Sequence, residues 1–292
     1  MIGDLAIWRF LIGDAGGWRN IPRTFGRFGG SIMIRRLFVL RVVPAGMLLA
    51  AFFLSPAAAG RFGVAAQQPP QPQAPQTPRA AAPIDLTGYW VSVVTEDWRW
   101  RMLTPPKGDY TSVPLNPEGR KVADTWDPAK AAGDGCKAYG AASLMRMPGR
   151  VHITWENDTT LKIETDAGRQ TRWLRFDAAQ KPAGERSWQG HSVASWELVG
   201  GRGGRGATTP RGGSLKAVTT NLRAGYLRKN GVPYSENTVV TEYFDRHAAF
   251  DTEWFTVTTI VDDPKYLTQT FITSTHFKRE PDGSKWNPAA CE

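Results

Sequence analysis

Cysteine, histidine and helical periodicity are all scarce in this chain, and each scarcity removes a class of function. The 292 residues hold two cysteines, Cys136 and Cys291, and four histidines, His152, His191, His247 and His276. No two histidines have H-E-x-x-H or H-x-H spacing, so a metal site would have to assemble from separate strands, and none is expected. The cysteines form no Cys-x-x-Cys pair and sit in no lipoprotein cleavage site, which disfavours redox catalysis and lipid anchoring. No G-x-S-x-G elbow is present. His191 and Ser192 are adjacent, so on a strand they point to opposite faces and cannot act as base and nucleophile. No cofactor is expected.

Clustered positive charge is also missing. The chain carries a net charge of +9 and a pI near 9.7, which on its own would suggest nucleic acid. Residues 1–66 hold eight Arg against two Asp, so six of those charges lie there and +3 remains from Gln67 onward. The basic residues of that later part are scattered among acids without the stripe that phosphate backbones need, and nucleic acid is not an expected partner.

What is present begins with the ends. From Met33, "MIRRLFVLRVVPAGMLLAAFFLSPAAAG" joins a positive start (Arg35, Arg36, Arg41) to an uncharged core, Val42 to Leu54, and to the small residues Ala57-Ala58-Ala59. This predicts a signal peptide over 33–66; a transmembrane anchor is the alternative, but the core is short for a bilayer. Residues 1–32 fit no targeting type and read as an extension or a start placed too far upstream. Gln67 to Pro83, "QQPPQPQAPQTPRAAAP", reads as an extended, solvated linker. A domain over 84–292, long enough for one packed core, follows. The expected location is the periplasm or the medium, where Cys136 and Cys291 would pair as a disulfide; two buried free thiols are the rival reading.

The domain alternates apolar and polar residues at period two. Strands are predicted at Gly88–Thr95, Arg150–Glu156, Thr159–Thr165, Arg169–Phe176, Ser187–Leu198, Gly213–Leu222, Asn237–Phe244, Glu253–Val261 and Tyr266–Lys278, several joined by short turns rich in Asn, Asp and Gly. Between two of them lies the Gly/Arg-rich loop "VGGRGGRGATTPRGG". One helix is predicted, in Asn116–Asp127, with Pro117 in its first turn. The fold class is therefore all-β: a single antiparallel up-and-down barrel of about nine strands, lipocalin-like, with long N-terminal loops and one short helix. An outer-membrane barrel fits less well, because Lys162, Arg172, Arg175 and Lys216 would fall on exposed faces. A soluble monomer is expected.

Several residues merit attention as chemistry. Glu242 shares a strand face with Val240 and Phe244, which would bury it; a buried carboxylate needs a partner, and Arg146 or Arg172 could supply one. His152 and His276 could meet Glu242 inside a barrel, giving the candidate catalytic set Glu242, His152 and His276, although structural histidines are commoner. Glu236 and Asp263 read as turn and rim residues. Trp155, Trp173, Trp188, Trp196 and Trp254 fall on strands, with Trp98 and Trp100 in "EDWRWR" near the first. A lumen lined by Trp, Thr and a charge or two suits a small ligand, so Arg146, Trp155, Arg172, Trp196, Glu242, Trp98 and Trp100 are candidate ligand-binding residues.

The segments "WQGHSVASWE", "GGSLKAVTTNL", "GVPYSENTVVTEYFDR", "FTVTTIVDDPKYLTQTF" and "KREPDGSKWNPAACE" together resemble a widespread family of uncharacterised bacterial secreted proteins with calycin-like barrels. The matching positions are Ser195-Trp196-Glu197, Ser235-Glu236, Thr241-Glu242, Asp263-Pro264, Tyr266 and Cys291, with Cys136, Gly140, Met145, Arg146 and Pro148 upstream. The Gly/Arg-rich loop departs from the pattern, where the family more often has a tight Gly-Asp turn. The resemblance implies a barrel and export, and no chemistry. Three readings of function stay open: an exported protein binding a small, partly apolar or aromatic molecule; an acid–base enzyme (isomerase, cyclase or hydrolase) with Glu242 as base; and a structural or partner-binding barrel.

Overall fold

Period-two alternation settles into strands wherever one row of side chains can be buried. The structure, a computed structural model, describes residues 76–130, 135–177, 182, 184–199 and 212–291. The expected signal segment, the extension before it, the start of the linker and most of the Gly/Arg-rich loop lie outside the described residues.

Among the described residues eleven strands form: β1 (Gly88–Val93), β2 (Arg150–Asn157), β3 (Thr160–Thr165), β4 (Thr171–Arg175), β5 (His191–Leu198), β6 (Gly213–Thr220), β7 (Gly225–Arg228), β8 (Val232–Tyr234), β9 (Val239–Ala249), β10 (Thr252–Asp262) and β11 (Phe271–Glu280). Nine of them close a barrel in the order β1-β11-β10-β9-β6-β5-β4-β3-β2, and β7 and β8 form a separate ribbon. The expected all-β barrel is therefore present, with one difference in strand direction. β4 and β5 run parallel, through Leu174 opposite Ser192 and Arg175 opposite Val193. The β7–β8 ribbon was not expected. Each of its strands is too short to show a period, and Gly231 and Pro233 read as loop.

The predicted helix appears as α2 (Pro117–Ala123), shorter than its sequence pattern. Asn116 caps it, its side-chain oxygen accepting from the Gly119 amide at 2.8 Å. A single helical turn, α1 (Trp98–Arg101), follows β1. Short 3-10 turns span Gly135–Tyr139 and Leu144–Arg146. No described helix is long and apolar enough to cross a membrane.

Two large cores, with a smaller cluster of Ala138, Tyr139 and Leu144, share the work of packing. One fills the barrel with Trp90, Ile153, Ile163, Leu174, Leu215, Phe244, Phe255, Val257 and Phe277. Its rings interlock: Phe255 stacks on Phe277 at 4.7 Å and meets Trp90 edge-on at 4.8 Å. The other core, including Val113, Leu115, Leu227, Val232, Tyr234, Val261 and Phe271, packs under the ribbon and α2 at the barrel end where β1 finishes and β9 begins. The Cys136–Cys291 disulfide is formed, with Cα atoms 5.0 Å apart across 155 residues of sequence. It holds the C-terminal tail beside the β3–β4 turn, where Gly168 has φ +76° and a side chain would strike the Tyr139 ring.

Candidate ligand site

Glu242 is buried, as its alternation with Val240 and Phe244 implied, and its partner is Arg172. The two side chains are wholly inaccessible and meet as a fork, Nη2 to Oε2 at 2.6 Å and Nη1 to Oε1 at 3.1 Å. Arg172 lies on β4 and Glu242 on β9, so the pair spans the lumen past β5 and β6. Those two strands complete the network: Arg172 Nη2 also donates to Thr219 Oγ1 at 3.2 Å, and Thr219 bonds Ser192 at 2.8 Å. Arg172 therefore does not lie on an exposed face. It shares its row with Leu174, which is buried, while Trp173 turns outward and is 41 % exposed.

The histidines do not reach this pair. Val151 and Ile153 take the inner row of β2, which turns His152 outward, where it stacks on Tyr89 at 4.0 Å and lies 3.5 Å from Glu164. Thr275 and Phe277 take the inner row of β11, so His276 also faces outward and bonds Thr256 at 2.9 Å. Arg146 lies elsewhere too, beyond the end of the barrel, with its Nη2 on Asp97 at 2.9 Å. The set Glu242, His152 and His276 does not converge, and the carboxylate that would act as base is fully engaged.

The remaining carboxylates of interest separate cleanly. Asp263, 1 % exposed, accepts from Ser235 N (2.5 Å), Ser235 Oγ (3.0 Å), Thr238 Oγ1 (2.8 Å), Lys265 N (2.8 Å) and Tyr266 N (3.2 Å). It ties the turn before β9 to the turn after β10. Glu236 is exposed and precedes β9, as its reading as a rim residue implied.

Apart from Arg172 and Glu242 in the lumen, the candidate ligand residues fall into two groups at opposite ends of the barrel. Trp155 near the end of β2, Trp196 on β5 and Phe176 just beyond β4 gather at the end that carries the β2–β3 and β9–β10 turns. Their ring centroids are 5.1 to 6.5 Å apart, and all three are half-buried above the barrel core. Phe176 was not singled out from sequence, although it shares its row with Leu174. The last residues of the Pro/Gln-rich tract touch this cluster: the Trp196 indole donates to the Pro78 carbonyl at 2.8 Å, Arg79 N donates to Asp158 O at 3.1 Å, and Ile84 packs on the same core. At the other end stand Trp98, 65 % exposed, and Trp100, whose indole donates to Asp109 at 3.1 Å. Comparison of the chain with protein-family models, with curated proteins and with solved structures finds no match.

Proposed function

We propose that this is an exported binding protein that holds a small, partly apolar or aromatic molecule at the barrel mouth formed by Trp155, Phe176 and Trp196. The observation that carries the proposal is the meeting of three half-buried aromatic rings from separate parts of the chain at one mouth, above a lumen that is itself packed with rings and an ion pair. A ligand therefore docks at the rim and does not descend between the strands. Flat aromatic faces bind planar or apolar groups by stacking, and an indole N–H beside them selects for an acceptor on the ligand. Here that N–H is engaged by Pro78, so residues 76–84 act as a strap that a ligand displaces or is held beneath. The disulfide and the signal-like segment support export.

Titration with small aromatic and apolar compounds, read by intrinsic fluorescence and by melting temperature, tests this. One or more should change the fluorescence saturably, and Trp196→Ala should abolish that response. Silence across a broad panel would remove the proposal. An acid–base enzyme is poorly supported, because Glu242 is sealed against Arg172 and both histidines face outward. A partner-binding reading draws on one observation, the exposed run of Trp98, Met102 and Leu103 on and after α1. It predicts self-association or pull-down behaviour that Trp98→Ser weakens.

A further inference from the structure

Three arginines are buried at the barrel end opposite the aromatic mouth: Arg101 on α1, Arg146 in the turn Leu144–Arg146, and Arg228 at the end of β7. Their exposures are 7, 5 and 3 %. A buried guanidinium is costly unless its charge and its donors are matched. Arg101 meets that demand, pairing with Glu96 and donating to Ser92 Oγ at 3.2 Å and to the Arg146 carbonyl at 2.9 Å. Arg146 is matched in part, through Asp97. Asp109 is taken by Arg99 at 2.7 Å and by Trp100.

Arg228 is the cation left over. Its Nη1 donates to the Thr111 carbonyl at 2.7 Å and its Cζ lies 4.9 Å from the Trp100 ring centre, but it forms no ion pair with a described carboxylate. Its Nε and Nη2 are buried without a hydrogen-bond partner, and so is Nη1 of Arg146. Burial, then the nearby Arg146 charge, push the Arg228 guanidinium down to about 10, against the opposing pull of Asp97 and Asp109. The unmatched atoms of the two arginines are all donors, while the buried Oδ1 of Asn230, two residues beyond Arg228, is an unmatched acceptor. Nε and Nη2 share one edge of the planar group, the edge that matches two oxygens of a carboxylate or phosphate. A cleft of about 490 Å³ opens nearby, lined by Ser112, Val113, Pro114 and residues 269–272 and by neither arginine. The Phe271 ring is 5.7 Å from the Arg146 Cζ, and Ser112 follows the residue that Arg228 bonds.

We propose that Arg228 and Arg146 form a binding site for a small oxyanion, a carboxylate or a phosphate, reached from the Phe271 cleft. The Arg228 fork takes two oxygens and Arg146 Nη1 adds a further donor. Arg101 is a positioning residue, since it holds the backbone of Arg146. The site is separate from the aromatic mouth, so either can fail without the other.

The test is calorimetric melting of the full oxidised chain at fixed ionic strength, with chloride replaced in turn by phosphate, sulfate and acetate. At least one oxyanion should raise the melting temperature saturably. A response to phosphate and sulfate alone assigns a phosphate-like ligand, and a response to acetate assigns an organic carboxylate. Arg228→Lys keeps the charge but loses the fork, and should weaken apparent affinity by about tenfold or more. Arg228→Met removes an unmatched buried charge, so it should melt no lower than the wild type in chloride while losing the oxyanion response. Wild-type protein indifferent to all three ions overturns the proposal, as does an unchanged affinity in Arg228→Lys.

Discussion

Replacing Glu242 by Gln keeps the shape of the side chain, removes its charge and turns one of the two oxygens that accept from Arg172 into a donor. The consequence should be large, because Arg172 would then hold an unmatched charge at zero exposure, with one amide oxygen and Thr219 as its remaining acceptors. Breaking one side of a buried ion pair costs about 3–5 kcal/mol. For a domain of this length each kcal/mol moves the melting temperature by roughly 2–4 °C, so a fall on the order of 10 °C is expected. The double replacement Arg172→Met with Glu242→Leu removes both charges and fills the space with apolar atoms. It should recover most of the loss, to within about 1 kcal/mol of the wild type or above it, because the desolvation cost disappears with the attraction. Thr219 and Ser192 keep their mutual hydrogen bond in that variant. Urea and thermal melts of the three variants, followed by circular dichroism with the disulfide intact, make the comparison. A single variant that melts with the wild type would show that water reaches the pair, and the inward assignment of the Arg172 row would fail with it.

Three further outcomes follow from the same geometry. Cys136→Ser with Cys291→Ser opens a loop of 155 residues and should cost about 5 kcal/mol on the loop-entropy model, seen as a lower urea midpoint that reductant reproduces in the wild type. Asp263→Ala strips acceptors from two side chains and three backbone amides, and should cost at least about 3 kcal/mol in the same melts, whereas Glu236→Gln, exposed, should stay within about 0.5 kcal/mol. Asp109 should lose its hold on α1 in acid. Desolvation works to raise its carboxyl, but the hydrogen bonds from Trp100, Thr111 and Arg99 outweigh it, and the group sits below the ordinary value of 3.8. A carboxyl lowered by folding adds stability that is present above the unfolded value and is lost as pH falls through the folded one. An acid titration of tryptophan fluorescence should therefore show a transition below pH 3.8 that Asp109→Asn removes.

The barrel was legible because its strands bury one row and wet the other, and period two survives in residues such as Val151, Ile153 and Trp155. What crossed long stretches of chain was not. The parallel meeting of β4 and β5 is one such feature, and nothing local in either strand records it. Arg172 misled for a related reason: hydropathy favours Trp173 as the buried neighbour, and only the position of Leu174 and of Glu242 across the lumen turns the arginine inward. Glu242 itself could be read from its two apolar row-mates. Of the aromatic mouth, Trp155 and Trp196 were visible as strand residues, while Phe176, at a strand end, offered only its parity. Arg228 lies in "GYLRKNGVPY", where a charge inside a short apolar run is a signal, but strands of four and three residues give too little pattern to use it.

The central claim is that ligand meets the protein at Trp155, Phe176 and Trp196, and indole N–H resonances report on that directly. In a 1H–15N spectrum of labelled protein, a bound aromatic or apolar compound should shift the Trp196 indole most, as its bond to Pro78 is disturbed, and the Trp155 indole next. The Trp90 indole, bonded to the Leu86 carbonyl at 2.9 Å inside the core, should stay nearly fixed. Saturable binding that moves only the Trp98 and Trp100 signals, leaving Trp155 and Trp196 unchanged, would contradict the account.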